Sequence, residues 1–163
     1  QISEMKVDVP MLAMTHCDAS KLAKQHGKKS EYALCAAQWH KELSYSDKYF
    51  GNGIKYDKDF NDAYGYAPPY QAAESSAALL VWKDAFERAN SLDKEKVRDA
   101  LATTDMETFY GKVKFGSGGQ NTAKPMVLFQ VRCEGDTCAN RLVAPTKVAS
   151  HKLVHPVPKW SER

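Results

Sequence analysis

Two short apolar runs near the start of the chain, separated by a polar stretch of helical character, predict a strand–helix–strand unit. The first run covers residues 9–14 and the second covers residues 32–37. Asp18 is a suitable N-cap for the helix between them, and Gly27 is a suitable stop. Because a crossover helix joins the two runs, the pattern predicts parallel strands and therefore an α/β fold.

The middle of the chain carries three helical patterns, at about residues 57–66, 70–89 and 93–103. Residues 43–53, before the first of them, are predicted to be a loop. The first half of the long second pattern is apolar almost all round, which is typical of a buried helix. The small side chains in it would let another backbone approach closely.

After the third helical pattern, the sequence becomes typical of strands. Residues 109–115 predict one strand, and residues 126–132 and 139–144 predict an antiparallel hairpin. Cys133 and Cys138 flank the turn of this hairpin, and two cysteines that face each other across a hairpin satisfy disulfide geometry. We therefore predict a disulfide, with free thiols as the alternative. A metal site has little support, because no second cysteine pair follows.

The other two cysteines allow more than one interpretation. His16, Cys17, Cys35 and His40 contain the side-chain types that bind zinc. The simpler interpretation, which we favour, is that the two cysteines are small buried residues near one edge of the sheet. We therefore predict no metal ion and no cofactor.

The ends of the two predicted parallel strands are the expected place for a ligand, since ligands of open parallel sheets bind beyond the carboxyl ends of the strands. Thr15 and His16 follow the first strand, and Gln38, Trp39 and His40 follow the second. Hydrogen-bonding groups beside an aromatic surface suit a small polar ligand. From position alone, a core role for Trp39 and a surface role for His16 fit equally well.

Charge and missing motifs exclude several functions. The 163 residues include 23 basic and 20 acidic side chains, without a long basic run, so nucleic acid is not an expected partner. No apolar stretch approaches the about 18 residues of a membrane span. Phosphate-binding loops and the common hydrolase motifs are absent from the sequence. A hydrolase that uses His16 with Cys17 or Cys35 would lack an orienting third group. We therefore predict a protein that is not an enzyme.

A series of short motifs, in a fixed order, resembles one protein family. Together they are similar to the C-terminal half of the periplasmic solute-binding proteins of branched-chain amino-acid ABC transporters, the leucine/isoleucine/valine-binding family. The matching stretches are residues 64–73 (YGYAPPYQAA), 91–101 (SLDKEKVRDAL), 109–121 (FYGKVKFGSGGQN), Gln130, 143–145 and 156–160.

This resemblance implies part of a type I periplasmic-binding-protein fold, in which two α/β lobes enclose a ligand cleft. Residues 1–37 would belong to the second lobe, residues 38–122 to the first lobe, and residues 123–163 to the second lobe again. The N-terminal half of the same protein would lie upstream. A chain that begins with Gln1 rather than Met fits a processed protein or a piece of a longer one.

The function implied by the resemblance is the non-catalytic binding of a small solute, an amino acid, an amide or a small carboxylate, for delivery to an ABC-type membrane permease. The location would be periplasmic or otherwise extracytoplasmic, where disulfides persist. The alternative is a binding-protein remnant recruited as a structural subunit of a larger assembly. The expected ligand-binding residues are Thr15, His16, Gln38, Trp39 and Tyr70, the last at the entry of the long helix.

Overall fold

A computed structural model describes residues 1–15 and 19–163, and the side chains of these residues except 19 and 20. Asp18, the predicted N-cap, lies outside the described residues. The described chain divides into two compact units. The first unit contains Gln1–Ala37 and Met126–Arg163, and the second contains Gln38–Pro125.

The first third of the described chain holds a strand–helix–strand unit and two very short strands, and three helices and two hairpins follow. In chain order the elements are β1 (Ala13–Met14), α1 (Ala19–His26), β2 (Leu34–Ala37), β3 (Ser46–Asp47), β4 (Gly51–Asn52), α2 (Gly53–Tyr64), α3 (Tyr70–Ala89), α4 (Lys94–Ala102), β5 (Asp105–Thr108), β6 (Gly111–Lys114), β7 (Val127–Glu134) and β8 (Thr137–Ala144).

The first unit is built on a four-stranded mixed sheet in the order β1-β2-β7-β8. The β1 and β2 strands pair in parallel, as predicted, and the other two pairings are antiparallel. The β1 strand is shorter than the predicted run of residues 9–14. Pro10 has no N–H to give to a ladder, and its carbonyl instead accepts a hydrogen bond from Val157 N at 3.0 Å.

A buried amide joins the C-terminal tail to this sheet. The Gln130 side chain in β7 is completely buried. Its Nε2 donates to Val154 O at 3.0 Å and to Tyr32 O at 3.3 Å, and its Oε1 accepts from Val154 N at 3.0 Å. Because the side chain satisfies both polar groups of one tail residue, it can replace a strand neighbour at that position.

Two cysteines face each other next to the turn of the β7–β8 hairpin. Cys133 and Cys138 are paired in register and form the predicted disulfide. Cys35 in β2 is completely buried and also disulfide-bonded, so the zinc interpretation is wrong for this residue. Cys17 lies outside the part of the chain that the structure describes.

Helix caps set the boundaries of the second unit's helices. The α2 helix begins four residues before the predicted start, because Asn52 Oδ1 accepts a hydrogen bond from Lys55 N at 2.9 Å. It ends at Gly65, whose φ of 77° is left-handed. Asp93 caps α4 by accepting from the N–H groups of Glu95 and Lys96, each at 3.1 Å.

The predicted strand over residues 109–115 is confirmed only for its later part, which is β6. It is the second strand of the β5–β6 hairpin, and Phe109 and Tyr110 lie in the turn before it. Both aromatic residues are buried rather than exposed at the tip. Thr108 Oγ1 closes the turn by donating to Gly111 O at 3.0 Å. The apolar pattern of the segment therefore comes from a buried turn as well as from the buried face of β6.

The α3 helix is buried on one side only. Ala73, Ala77 and Leu80 face the interior, whereas Leu79 is 69% exposed and Trp82 is 45% exposed. The prediction of burial all round is therefore wrong for the described chain, because no described segment covers the second side. None of the described helices is long and apolar enough to cross a membrane.

Gln130→Leu should lower the free energy of unfolding by about 2–3 kcal/mol, because it leaves the N–H and C=O of Val154 without partners. Urea unfolding of the 163-residue chain measures this loss. Gln71→Leu, on the exposed surface of α3, is the matched control and should change stability by no more than about 0.5 kcal/mol. Equal effects of the two substitutions would contradict the anchoring role of Gln130.

Candidate functional site

The residues predicted to bind a ligand fall in both units. Thr15 directly follows β1 in the first unit and is exposed. His16 lies outside the described residues. Gln38 and Trp39 follow β2 and open the second unit, and Tyr70 is the first residue of α3. The structure therefore places Gln38, Trp39 and Tyr70 in one unit.

Trp39 packs in an aromatic cluster of the second unit. Its ring meets Tyr56 and Phe109 edge-on, at centroid distances of 5.8 and 6.1 Å, and Tyr56 stacks on Phe109 at 4.2 Å. The indole Nε1 donates to Phe109 O at 3.3 Å. With only 5% of the residue exposed, the geometry favours the core role for this ring. A ligand contact from Trp39 stays a prediction.

Asp47 holds the other side of the same buried turn, a role that the sequence pattern did not suggest. Its Oδ2 accepts from Phe109 N at 2.7 Å, and its Oδ1 accepts from the N–H groups of Tyr49 and Phe50 at 2.8 Å each. Asp47 and Trp39 therefore satisfy both the N–H and the C=O of Phe109. These two bonds fix the position of the next residue, Tyr110.

Lys124 is the second residue of interest that sequence reasoning missed. Its ammonium lies 4.2 Å from the centroid of the Tyr110 ring and donates to Gln38 O. Its carbon chain passes over Gly111, where a Cβ would overlap it. A larger residue at this position would displace the lysine, and the φ of 144° there also favours glycine. The nearby motif of residues 109–121 was visible in the sequence, but no local pattern linked it to Lys124.

Burial changes the titration of this group. It lowers the pKa of the Lys124 ammonium to about 8, against an opposing effect of the Glu74 carboxylate. Burial also raises the pKa of the Tyr110 phenol, and Glu74 and Tyr70 add to that effect. The surroundings therefore disfavour charge on both side chains. Tyr110 remains a neutral phenol at physiological pH, while Lys124 remains largely protonated.

A groove of about 810 Å³ adjoins this cluster on the side of Glu74 and Tyr110. Its walls come from α3, α4 and β6, with the glycine-rich residues 116–119 at one end. Apolar side chains line most of it, among them Ala77, Val81, Leu101, Val113 and Phe115. Such a surface suits an apolar partner or ligand.

The groups in this unit offer several kinds of contact. An ammonium, a carboxylate, a phenol and a large apolar groove can hold and orient a molecule through charge, hydrogen bonds and contact area. Among the described residues, no group of three or more His, Cys, Asp or Glu side chains is arranged to hold a metal ion.

Comparison with known proteins supplies the context for this surface. A family model described as periplasmic binding protein matches residues 1–137. A leucine-binding protein from Thermotoga maritima shares the fold, with 21% identity and a TM-score of 0.67. The match covers 90% of this chain but only 41% of that protein, so the chain spans about two fifths of it.

Two further solved structures differ in what they bind. One is the branched-chain amino-acid transporter substrate-binding protein from Streptococcus pneumoniae in complex with isoleucine, at 16% identity and a TM-score of 0.64, with coverage of 87% of this chain and 39% of that one. The other is a solute-binding protein from R. palustris in complex with benzoate, at 16% identity and a TM-score of 0.52, with coverage of 81% and 36%. At these identities the likeness shows the fold alone.

Trp39→Ala should destabilise the chain by about 3–5 kcal/mol, because it removes a buried ring and leaves Phe109 O without its donor. Trp82→Ala is the matched control: Trp82 is 45% exposed, and its loss should cost about 1 kcal/mol or less. Urea unfolding of both variants measures these two losses of stability. A Trp39→Ala variant as stable as Trp82→Ala would contradict the core role of the ring.

Proposed function

Because the chain belongs to the periplasmic binding protein family, we propose that it supplies part of a two-lobed protein that captures a small solute outside the cytoplasm and delivers it to an ABC-type permease. The family assignment confirms the resemblance seen in the sequence, and the mixed α/β architecture confirms the predicted fold class. The observation that carries the proposal is the family match over residues 1–137 together with the shared fold of the solved binding proteins.

The lobe assignment is part of this proposal. Residues 1–37 and 123–163 would form part of the second lobe, and residues 38–122 part of the first. The division of the structure after Ala37 and after Pro125 supports it. In this arrangement neither lobe is complete, and an N-terminal half of the same protein would supply the remainder.

The proposed solute is an amino acid, an amide or a small carboxylate. The solved relatives support this class, because leucine, isoleucine and benzoate, which those proteins bind, all carry a carboxylate. Thr15, His16, Gln38, Trp39 and Tyr70 would contribute to the binding surface of this chain. Further contacts would come from the N-terminal half.

The exposed apolar surface of the second unit indicates that another segment or protein packs against it. Leu79 and Trp82 project from α3, and the groove between α3, α4 and β6 is apolar over most of its lining. Contiguous apolar surface of this kind marks an interaction site. In the proposed protein, the N-terminal half would cover it and so complete the first lobe.

The second candidate function is that of a structural subunit in a larger assembly. The same apolar surface favours it, since an unrelated partner could cover that surface equally well. The two candidates differ in the covering molecule, which is the same polypeptide in one case and another polypeptide in the other. They also differ in solute binding, which only the first requires.

The proposed function predicts that the intact protein from its natural source binds a carboxylate solute, whereas the 163-residue chain does not bind it with useful affinity. Loss of several charge-assisted hydrogen bonds, at about 1.5–3 kcal/mol each, removes a micromolar site. Calorimetric titration with amino acids, amides and benzoate tests both forms, and the intact mass gives the length. Tight binding by the short chain, or no binding by a longer intact protein, would overturn the proposal.

Hydroxyl-radical footprinting with residue-resolved mass spectrometry tests separately whether another segment covers the exposed apolar side of α3. Leu79 and Trp82 should be oxidised in the 163-residue chain and protected several-fold in the intact protein, because buried side chains are inaccessible to the radical. Leu92, which is 86% exposed and lies between α3 and α4, is the control and should react equally in both. If Leu79 and Trp82 react as readily as Leu92 in the intact protein, no segment of that protein covers α3.

A further inference from the structure

We propose that the Lys124 ammonium is an anchor for a carboxylate group of the solute. This inference rests on the proposed function, and it adds a specific residue and the chemical group that it recognises. Lys124 lies in the second unit, beside the predicted binding residue Gln38.

The first support is that Lys124 is held in one position. Its carbon chain occupies the space above Gly111, and its ammonium rests on the face of Tyr110 at 4.2 Å. The donated hydrogen bond to Gln38 O fixes one of its three protons. A cation held by an aromatic face and one carbonyl still has protons to donate to a ligand, and little further entropy is lost when it does so.

The second support is the lack of a compensating anion. In the part of the chain that the structure describes, no carboxylate oxygen lies within 4.0 Å of the Lys124 ammonium, whereas Lys112 and Lys114 pair with Asp105 at 3.2 and 2.7 Å. Glu74 acts on Lys124 only through a longer-range Coulomb interaction. A half-buried ammonium that no carboxylate pairs with carries a desolvation cost, which a bound carboxylate would offset.

The third support is the surroundings of Lys124. Glu74 and Tyr70 act electrostatically on Tyr110 from α3, and Tyr110 lies beneath the ammonium. The surroundings of Lys124 thus include two of the residues predicted to bind the solute, Gln38 and Tyr70. A carboxylate on Lys124 would bring the rest of a small molecule within reach of them.

The titration of Lys124 gives the expected pH dependence. Burial lowers its pKa to about 8, so the ammonium is the main form below that pH. Carboxylate binding should therefore be retained below pH 8 and lost as the pH rises through the pKa. A bound anion should also raise that pKa, because it stabilises the charged form. Among the facing groups, the Glu74 carboxylate opposes anion binding, whereas the Tyr110 phenol, whose pKa is raised, contributes no charge.

The test is an NMR titration of the 163-residue chain labelled with ¹⁵N-lysine, in which the side-chain nitrogen of each lysine is observed. Isobutyrate is the probe, and isobutyramide is its neutral isostere. The Lys124 signal should shift saturably with isobutyrate, with half-saturation in the millimolar range expected of one anchoring contact, and not with isobutyramide. The Lys112 signal should show no saturable shift with either probe.

Variants separate the anchor from its structural role. Lys124→Met should weaken isobutyrate binding at least about tenfold, Lys124→Arg should retain most of it, and Lys112→Met should leave it unchanged. If Lys124→Met fails to fold, the wild-type titration and its pH profile still test whether Lys124 binds the carboxylate. Equal shifts with isobutyrate and isobutyramide, or a Lys124 response like that of Lys112, would overturn the inference. The two proposals can fail separately. If isobutyrate binds Lys124 saturably but the intact protein binds no solute, Lys124 remains a carboxylate site and only the proposed function is refuted.

Discussion

The hydrogen bonds that satisfy the buried peptide of Phe109 are the constraint on which the second unit depends. A turn at the tip of a hairpin is normally in water, but here it lies within an aromatic cluster and needs protein partners for its polar groups. Asp47 supplies the acceptor and Trp39 the donor, from positions far away in the sequence. The turn then positions Tyr110 and Gly111, and the Lys124 side chain packs against these two residues. Without this turn, the ammonium would have no defined position.

The first unit has a comparable constraint in the amide of Gln130. This side chain acts as an extra strand neighbour for the tail at Val154, which lets an irregular segment cover the sheet without leaving buried polar groups unpaired. The Cys133–Cys138 disulfide joins the same two strands next to their turn. Gln130 lies near the middle of β7, so the two features hold different parts of the hairpin. In both units, polar side-chain groups allow non-repetitive backbone to be buried, from Gln130 in the first and from Asp47 and Trp39 in the second.

The distribution of charge and apolar surface divides the second unit into parts with different roles. Most lysines of its helices and strands pair with carboxylates at the surface, as Lys112 and Lys114 do with Asp105. Such exposed pairs contribute little to stability. Lys124 is instead half-buried without a paired carboxylate among the described residues. The exposed apolar side of α3, with Leu79 and Trp82, has no counterpart to cover it in the described chain.

Periodicity and capping chemistry by themselves determined much of the fold. The span of α3, the parallel start of the sheet, the final hairpin and the disulfide across its turn were all predicted, because each depends on neighbours close in sequence or on strict alternation. The motifs also identified the family. The sequence could not show that residues 109–115 contain a buried turn, since their apolar pattern fits a strand equally well. Tertiary structure alone brought Lys124 onto Tyr110 and Gln38, because that contact joins residues 86 positions apart and no local pattern encodes such a pairing.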